Sequence, residues 1–270
     1  DLIRLNKSCI DLEVFVVWIT DAYLNKNPFH RANELIDELE KLEKNNALMK
    51  IPNSYNDIIS SKKADILSTP FSLEGGEIIE NKIENLYHFI ERGLMYFGLT
   101  WNRSLNWASS AFDENHNKKN IKSFGLNSFG KEVVNVCNDN NIIVDVSHIG
   151  EKSFWDVDKY SSKPYIASHS NAYNLCKHFR NLKDDQLLAI KKKNGLIGLV
   201  PCPYFLDHNF FDKKNKFLKN YENEINNFNL TEKNITKLWL KKQHFFQKAL
   251  KSITPSIEVF VDHIEYVIKL

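Results

Sequence analysis

At 270 residues, 43% of them hydrophobic, the chain is long enough to bury a substantial core as one large domain or two small ones. Its 36 basic and 34 acidic residues nearly cancel and are spread along the sequence, which argues against a nucleic-acid partner or an anionic membrane surface. Cys9, Cys137, Cys176 and Cys202 are far apart with no C-x-x-C pair, so neither a zinc ribbon nor a secreted disulfide framework is expected, and a reducing, cytoplasmic setting fits best.

The first apolar run, VFVVWI from Val14 to Ile19, is far shorter than the roughly 20 residues a membrane-spanning helix needs. The only methionines are Met49 and Met95, so the sequence reads as a piece of something longer or as a processed product. DLEVFVVWI is followed by a helical stretch from about Pro28 to Lys44, with Pro28 suited to a first helical turn. ADILSTPFSL comes next, then helical NKIENLYHFIERG, closed by Gly93. LMYFGLT, helical SFGKEVVNVCNDNN, strand NIIVDVS, helix EKSFWDVDKY, strand PYIAS, helix KDDQLLAIKKKNG and strand LIGLVP complete six strand-helix alternations. Such alternation predicts a parallel sheet, because parallel neighbours need a crossover and a helix usually supplies it. A closed (β/α) barrel and an open doubly wound sheet both satisfy the pattern, although no G-x-G-x-x-G follows the first strand. Residues of about 207–234 read as an irregular insertion, after which ITKLWLKKQHFFQKALKSI and PSIEVFVDHIEYVIKL return to helical periodicity.

Two of these strands stop at the same dipeptide. IIVDVS and YIAS each end on a serine followed by a histidine, His148 and His169, 21 residues apart. In a parallel barrel the carboxyl ends of the strands converge on one mouth, where both rings could reach one metal ion. Glu74, in FSLEGGEIIE, also follows an apolar run and is backed by Gly75 and Gly76, which permit a tight turn with close backbone approach. Two imidazoles and a carboxylate form a set that catalytic zinc uses, with a position left for water. The other seven histidines, His30, His88, His116, His178, His208, His244 and His263, lie in helices or loops without that support.

GLNSFGKEVVNVCNDNNIIVDVSHIGEKSFWDV, KPYIASHSNAYNLCKHFRNLKDDQLLAIKKKNGLIGLV, SLEGGEIIEN and GLMYFGLTWN together resemble the membrane (renal) dipeptidase family of zinc metallohydrolases, particularly its bacterial members. The resemblance implies a TIM-like (β/α)8 barrel of the metal-dependent hydrolase type that cleaves dipeptides with two zinc ions bridged by a glutamate and a hydroxide. By matching motif the glutamate is Glu74, the histidines of the second metal are His148 and His169, and the arginine before "NL" that holds the substrate carboxylate is Arg180. Trp101 and Asn102, in LTWN, fall on the substrate side, with Trp101 where renal-type enzymes carry a histidine, and Phe205 falls where they carry a substrate-side tyrosine. A homodimer is the assembly the family suggests.

The family's H-x-D motif, which supplies the other metal's ligands, and its late "DFDG" aspartate are both missing. The expectation is therefore a single domain over residues 1–270 that lacks the first and last barrel strands and has ligands for at most one zinc. The leading functional expectation is a metallodipeptidase. The alternative is a truncated, non-catalytic relative keeping at most one metal site, and a single-metal hydrolase of another amide or ester is a weaker third.

Overall fold

The computed structural model describes residues 2–24, 26–221, 226 and 235–270. Its strands are β1 (Phe15–Trp18), β2 (Met49–Lys50), β3 (Leu67–Ser68), β4 (Phe71–Glu74), β5 (Leu94–Gly98), β6 (Ile143–Asp145), β7 (Tyr165–Ala167) and β8 (Leu196–Ile197). Six of them form one sheet in the order β1-β4-β5-β6-β7-β8, every pairing parallel. The expected alternation is thus an α/β fold on a parallel sheet. The register aligns Trp18, Glu74, Gly98, Asp145, Ile166 and Leu196 in a single row across it.

Apolar side chains on the strands and the crossover helices build the core between them. Phe71, Leu73, Phe97, Val144, Tyr165 and Ala167 are buried on the strands, and Leu86, Phe89, Val133, Val134, Phe154 and Val157 on the helices. Full burial of each such Leu, Val or Phe contributes about 1.5–3 kcal/mol. The helix Pro28–Lys44 has the bounds its sequence suggested: Pro28 occupies the first turn, Asn27 accepts from His30 N at 3.0 Å, and Ala32, Ile36 and Leu39 bury one face. The helices Ile83–Glu91, Ser128–Asp139, Glu151–Tyr160 and Asp184–Lys192 fall within the stretches read as helical.

One expected strand is divided. ADILSTPFSL forms β3, paired with β2 in a separate two-stranded sheet and bridged at Ser68 to Leu12, and then β4 in the main sheet. Pro70 stands at the break, where it has no N–H to give a ladder. Its carbonyl accepts from Phe15 N at 2.8 Å and so leads β4 into its pairing with β1. Within the expected insertion, Phe210–Asn220 is a helix, while residues 222–225 and 227–234 lie outside the described ones.

The chain divides into two compact units, Asp1–Ser168 with Ala189–Ile197, and His169–Leu188 with Gly198–Leu270. All eight strands lie in the first. Polar bonds organise the second: Asn171 exchanges hydrogen bonds with the Val200 backbone, Asn181 Nδ2 donates to the Cys176 and Phe205 carbonyls, and Tyr266 donates to Asp184. Buried His263 accepts from Ala172 N through Nδ1 at 3.1 Å, a contact that its helical surroundings in the sequence did not reveal. Among the described residues no helix is long and apolar enough to cross a membrane.

Candidate metal centre

Glu74 is the last residue of β4, and the backbone beyond it turns at once. Gly75 has φ +106°, in the region that favours glycine, and a Cβ there would lie 2.7 Å from Glu77 Oε2. A Cβ on Gly76 would meet Trp107 at 2.5 Å and the Leu99 carbonyl at 2.7 Å. Both glycine N–H groups donate to β5 and its extension, Gly75 to Gly98 O and Gly76 to Leu99 O. The glycine pair therefore lets the chain pack against its own backbone just past Glu74. Burial raises the Glu77 carboxyl above its ordinary range.

His148 stands three residues beyond the end of β6, in the left-handed region with φ 66°. Such a conformation costs a non-glycine residue about 1–3 kcal/mol and persists where surrounding bonds fix it. Here Ala111 N donates to the His148 carbonyl at 2.8 Å, Gly150 N to Ser109 O at 2.7 Å, and Ile149 bridges Ser110. The ring spans two partners: Nδ1 lies 3.0 Å from Asn102 Oδ1, and Nε2 lies 3.0 Å from Glu74 Oε1. An amide oxygen only accepts, so Nδ1 carries a proton, and Nε2 faces the carboxylate either as the N–H of a protonated ring or as the lone pair of a neutral one. In the neutral form the facing lone pairs repel unless a cation lies between them, and a divalent ion would meet that need.

His169 follows Ser168, the residue after β7 is left. Glu74, His148 and His169 each offer a ligand atom, and these atoms all lie within 4.8 Å of one another. Among the described residues no other group of three His, Cys, Asp or Glu side chains is so arranged. A carboxylate with two imidazoles fits a divalent ion such as zinc, with coordination left over. On the strand between β4 and β6, Tyr96 faces the same way as Gly98, two residues on. Burial, with the Asp145 and Glu74 charges nearby, raises its phenol above the ordinary value.

Trp101 packs on Trp18, centroids 4.8 Å apart, and its ring centroid is 6.2 Å from that of His148. With Asn102 it lines a cavity of about 450 Å³ that also takes in Asp21, Arg103 and Asp113. Asn102, expected on the substrate side from its motif, holds His148 with its side chain and accepts from Ser110 Oγ with its carbonyl. Arg180 is buried, with its guanidinium carbon 5.3 Å from the Phe205 ring centroid. Sequence reasoning assigned nothing to Trp18 or Asp145, although the row of register partners with Glu74 contains both.

A sequence profile of the membrane dipeptidases, peptidase family M19, matches residues 1–270. The chain belongs to the membrane dipeptidase family. An uncharacterized protein from the PQQ-III 3' region of Acinetobacter calcoaceticus is 35% identical over 170 residues, 62% of this chain and 51% of that protein. Mouse (Mus musculus) dipeptidase 3 is 27% identical over 212 residues, 76% of this chain and 42% of that protein. The chain thus spans about half the length of the curated relatives it matches. Among solved structures, a metallo peptidase from Rhodobacter sphaeroides, liganded with a phosphinate mimic of L-Ala-D-Ala, is 25% identical with a TM-score of 0.67, covering 77% of this chain and 66% of that one. The probable dipeptidase PvdM from Pseudomonas aeruginosa, at 19% identity, shares the fold over 100% of this chain and 73% of its own, with a TM-score of 0.76. The architecture is accordingly the TIM-barrel-like α/β type of the membrane dipeptidase family.

Proposed function

We propose that this chain carries the metal centre of a dipeptide hydrolase and that Glu74, His148 and His169 hold one zinc ion. The observation that carries the reading is the convergence of three ligand atoms within 4.8 Å from three separate strand ends of a membrane dipeptidase family member. A metal bound there would supply Lewis-acid polarisation of the scissile carbonyl and acidify water.

The protein's own groups then have distinct tasks. Asn102 Oδ1 accepts a hydrogen bond from Nδ1–H of His148 and so keeps Nε2 available as a ligand. Trp101, backed by Trp18, gives the site an apolar wall that limits water on that side. Arg180, by its place in the family motif, grips the substrate's terminal carboxylate with its planar fork. The substrate class is a dipeptide, the class mimicked by the phosphinate in the Rhodobacter sphaeroides enzyme.

The test is hydrolysis of L-Ala-L-Ala and L-Ala-D-Ala by the zinc-loaded chain, read as free alanine. Turnover is expected, and His148→Ala should reduce it by about a hundredfold or more. A second reading, a metal-binding relative without catalysis, is favoured by the presence of one ligand trio among the described residues where a two-metal enzyme needs more. Tight zinc with no alanine released would establish that second reading and overturn the first.

A further inference from the structure

We infer that Asp145 is a positioning residue that sets the two histidine-bearing turns at one height, an inference that rests on the metal centre proposed above. Its carboxylate is buried at the end of β6 and accepts three hydrogen bonds. Oδ1 takes the backbone N–H of Ser147 at 3.0 Å and that of Ser168 at 2.9 Å, and Oδ2 takes the Ser168 hydroxyl at 2.6 Å. Ser147 immediately precedes His148, and Ser168 immediately precedes His169. The peptide groups leading into both imidazoles therefore hang on one side chain, and the two serine hydroxyls are themselves 3.3 Å apart.

The chemistry suits an aspartate. An ionised carboxylate accepts only, with lone pairs enough for all three donors, whereas an amide in the same place would turn an NH₂ toward one of them. The sheet makes room for it: Gly98 is the register partner of both Glu74 and Asp145, and a Cβ there would sit 3.3 Å from the Leu73 carbonyl and 3.7 Å from Asp145 Oδ2. Asp145 is thereby held two strands from Glu74 in the same row, beneath the turns it ties. The left-handed backbone of His148 needs such over-determination to persist. A group that orients ligand-bearing elements in this way typically changes metal affinity by about 10–100-fold when removed.

The experiment compares the wild-type chain with Asp145→Ala, Asp145→Asn and Ser168→Ala, and with His148→Ala as the control that removes a ligand. Zinc affinity is measured by chelator competition, and coordination by the visible spectrum of the cobalt-substituted protein, below the melting temperature of each metal-free form. Asp145→Ala should weaken zinc binding by about 10–100-fold and alter the cobalt bands. Asp145→Asn, which keeps one oxygen for the two N–H donors, should fall between it and the wild type. A residue that only stabilised the fold would lower the melting temperature and leave affinity and spectrum of the folded protein unchanged, and that result overturns the inference. If Asp145→Ala does not fold, Asp145→Asn and Ser168→Ala decide the matter, and wild-type affinity in both overturns it. A wild-type chain that takes up neither metal removes the metal centre itself, an outcome distinct from loss confined to the Asp145 and Ser168 variants.

Discussion

At the residue scale, the partner of each imidazole nitrogen determines what the ring can do. Asn102 Oδ1 fixes the proton of His148 on Nδ1, so Asn102→Leu should weaken zinc by about tenfold while Asn102→Asp, which still accepts, holds it; chelator competition separates the two. His263 is the converse case, a ring kept neutral. Burial lowers its pKa from the ordinary 6.5, and its Nδ1 is already engaged in accepting the Ala172 N–H. The unfolded chain takes a proton near 6.5 where the folded one resists it, so the unfolded state binds more protons and stability falls as pH drops below that value. Melting temperatures at pH 7.5 and 5.5 should show a smaller acid loss in His263→Asn than in the wild type; an identical loss removes His263 from the acid response. Burial also separates the thiols, pushing Cys137 up to about 12 and Cys176 to about 11, while Cys9 is exposed. Brief iodoacetamide treatment of the native chain should therefore label Cys9 ahead of Cys137 and Cys176, as peptide mass spectrometry would show.

At the scale of elements, the turn after β4 is the most constrained. A methyl group at Gly76 would press on Trp107 and on the Leu99 backbone oxygen, and a backbone oxygen cannot swing aside as a long side chain can. Gly76→Ala should cost about 1–3 kcal/mol of stability in urea unfolding, and an unchanged midpoint would mean the turn is looser than described. The strands of the main sheet were legible because each is an apolar run with a turn or helix signal after it. The helix Pro28–Lys44 was legible at both ends, since its first-turn proline and apolar spacing agree with its burial. Less was visible where those signals conflict. The helix Tyr55–Lys63 went unread because it buries only Ser61 and so has no apolar stripe. The division of ADILSTPFSL at Pro70 depends on which partner each half finds, which composition does not record.

At the scale of the whole chain, a row of residues at the carboxyl ends of parallel strands links sequence to site. Glu74, His148 and His169 could be picked out because each follows an apolar run, and the fold brings their ligand atoms together. Asp145 and Asn102 could not, since an aspartate or asparagine near a strand end is common and its importance lies in which distant N–H or ring nitrogen it meets. Arg180 is assigned to the substrate by its motif alone, and its packing over the Phe205 ring has no counterpart in spacing. The metal site proposed for these three side chains, far apart in sequence, is open to a direct count. Zinc per chain, counted by elemental analysis after exhaustive dialysis, tests it most directly: the account predicts about one zinc in the wild type and loss of it in His148→Ala, whereas a wild type without zinc, or a His148→Ala variant that retains it, would contradict the account.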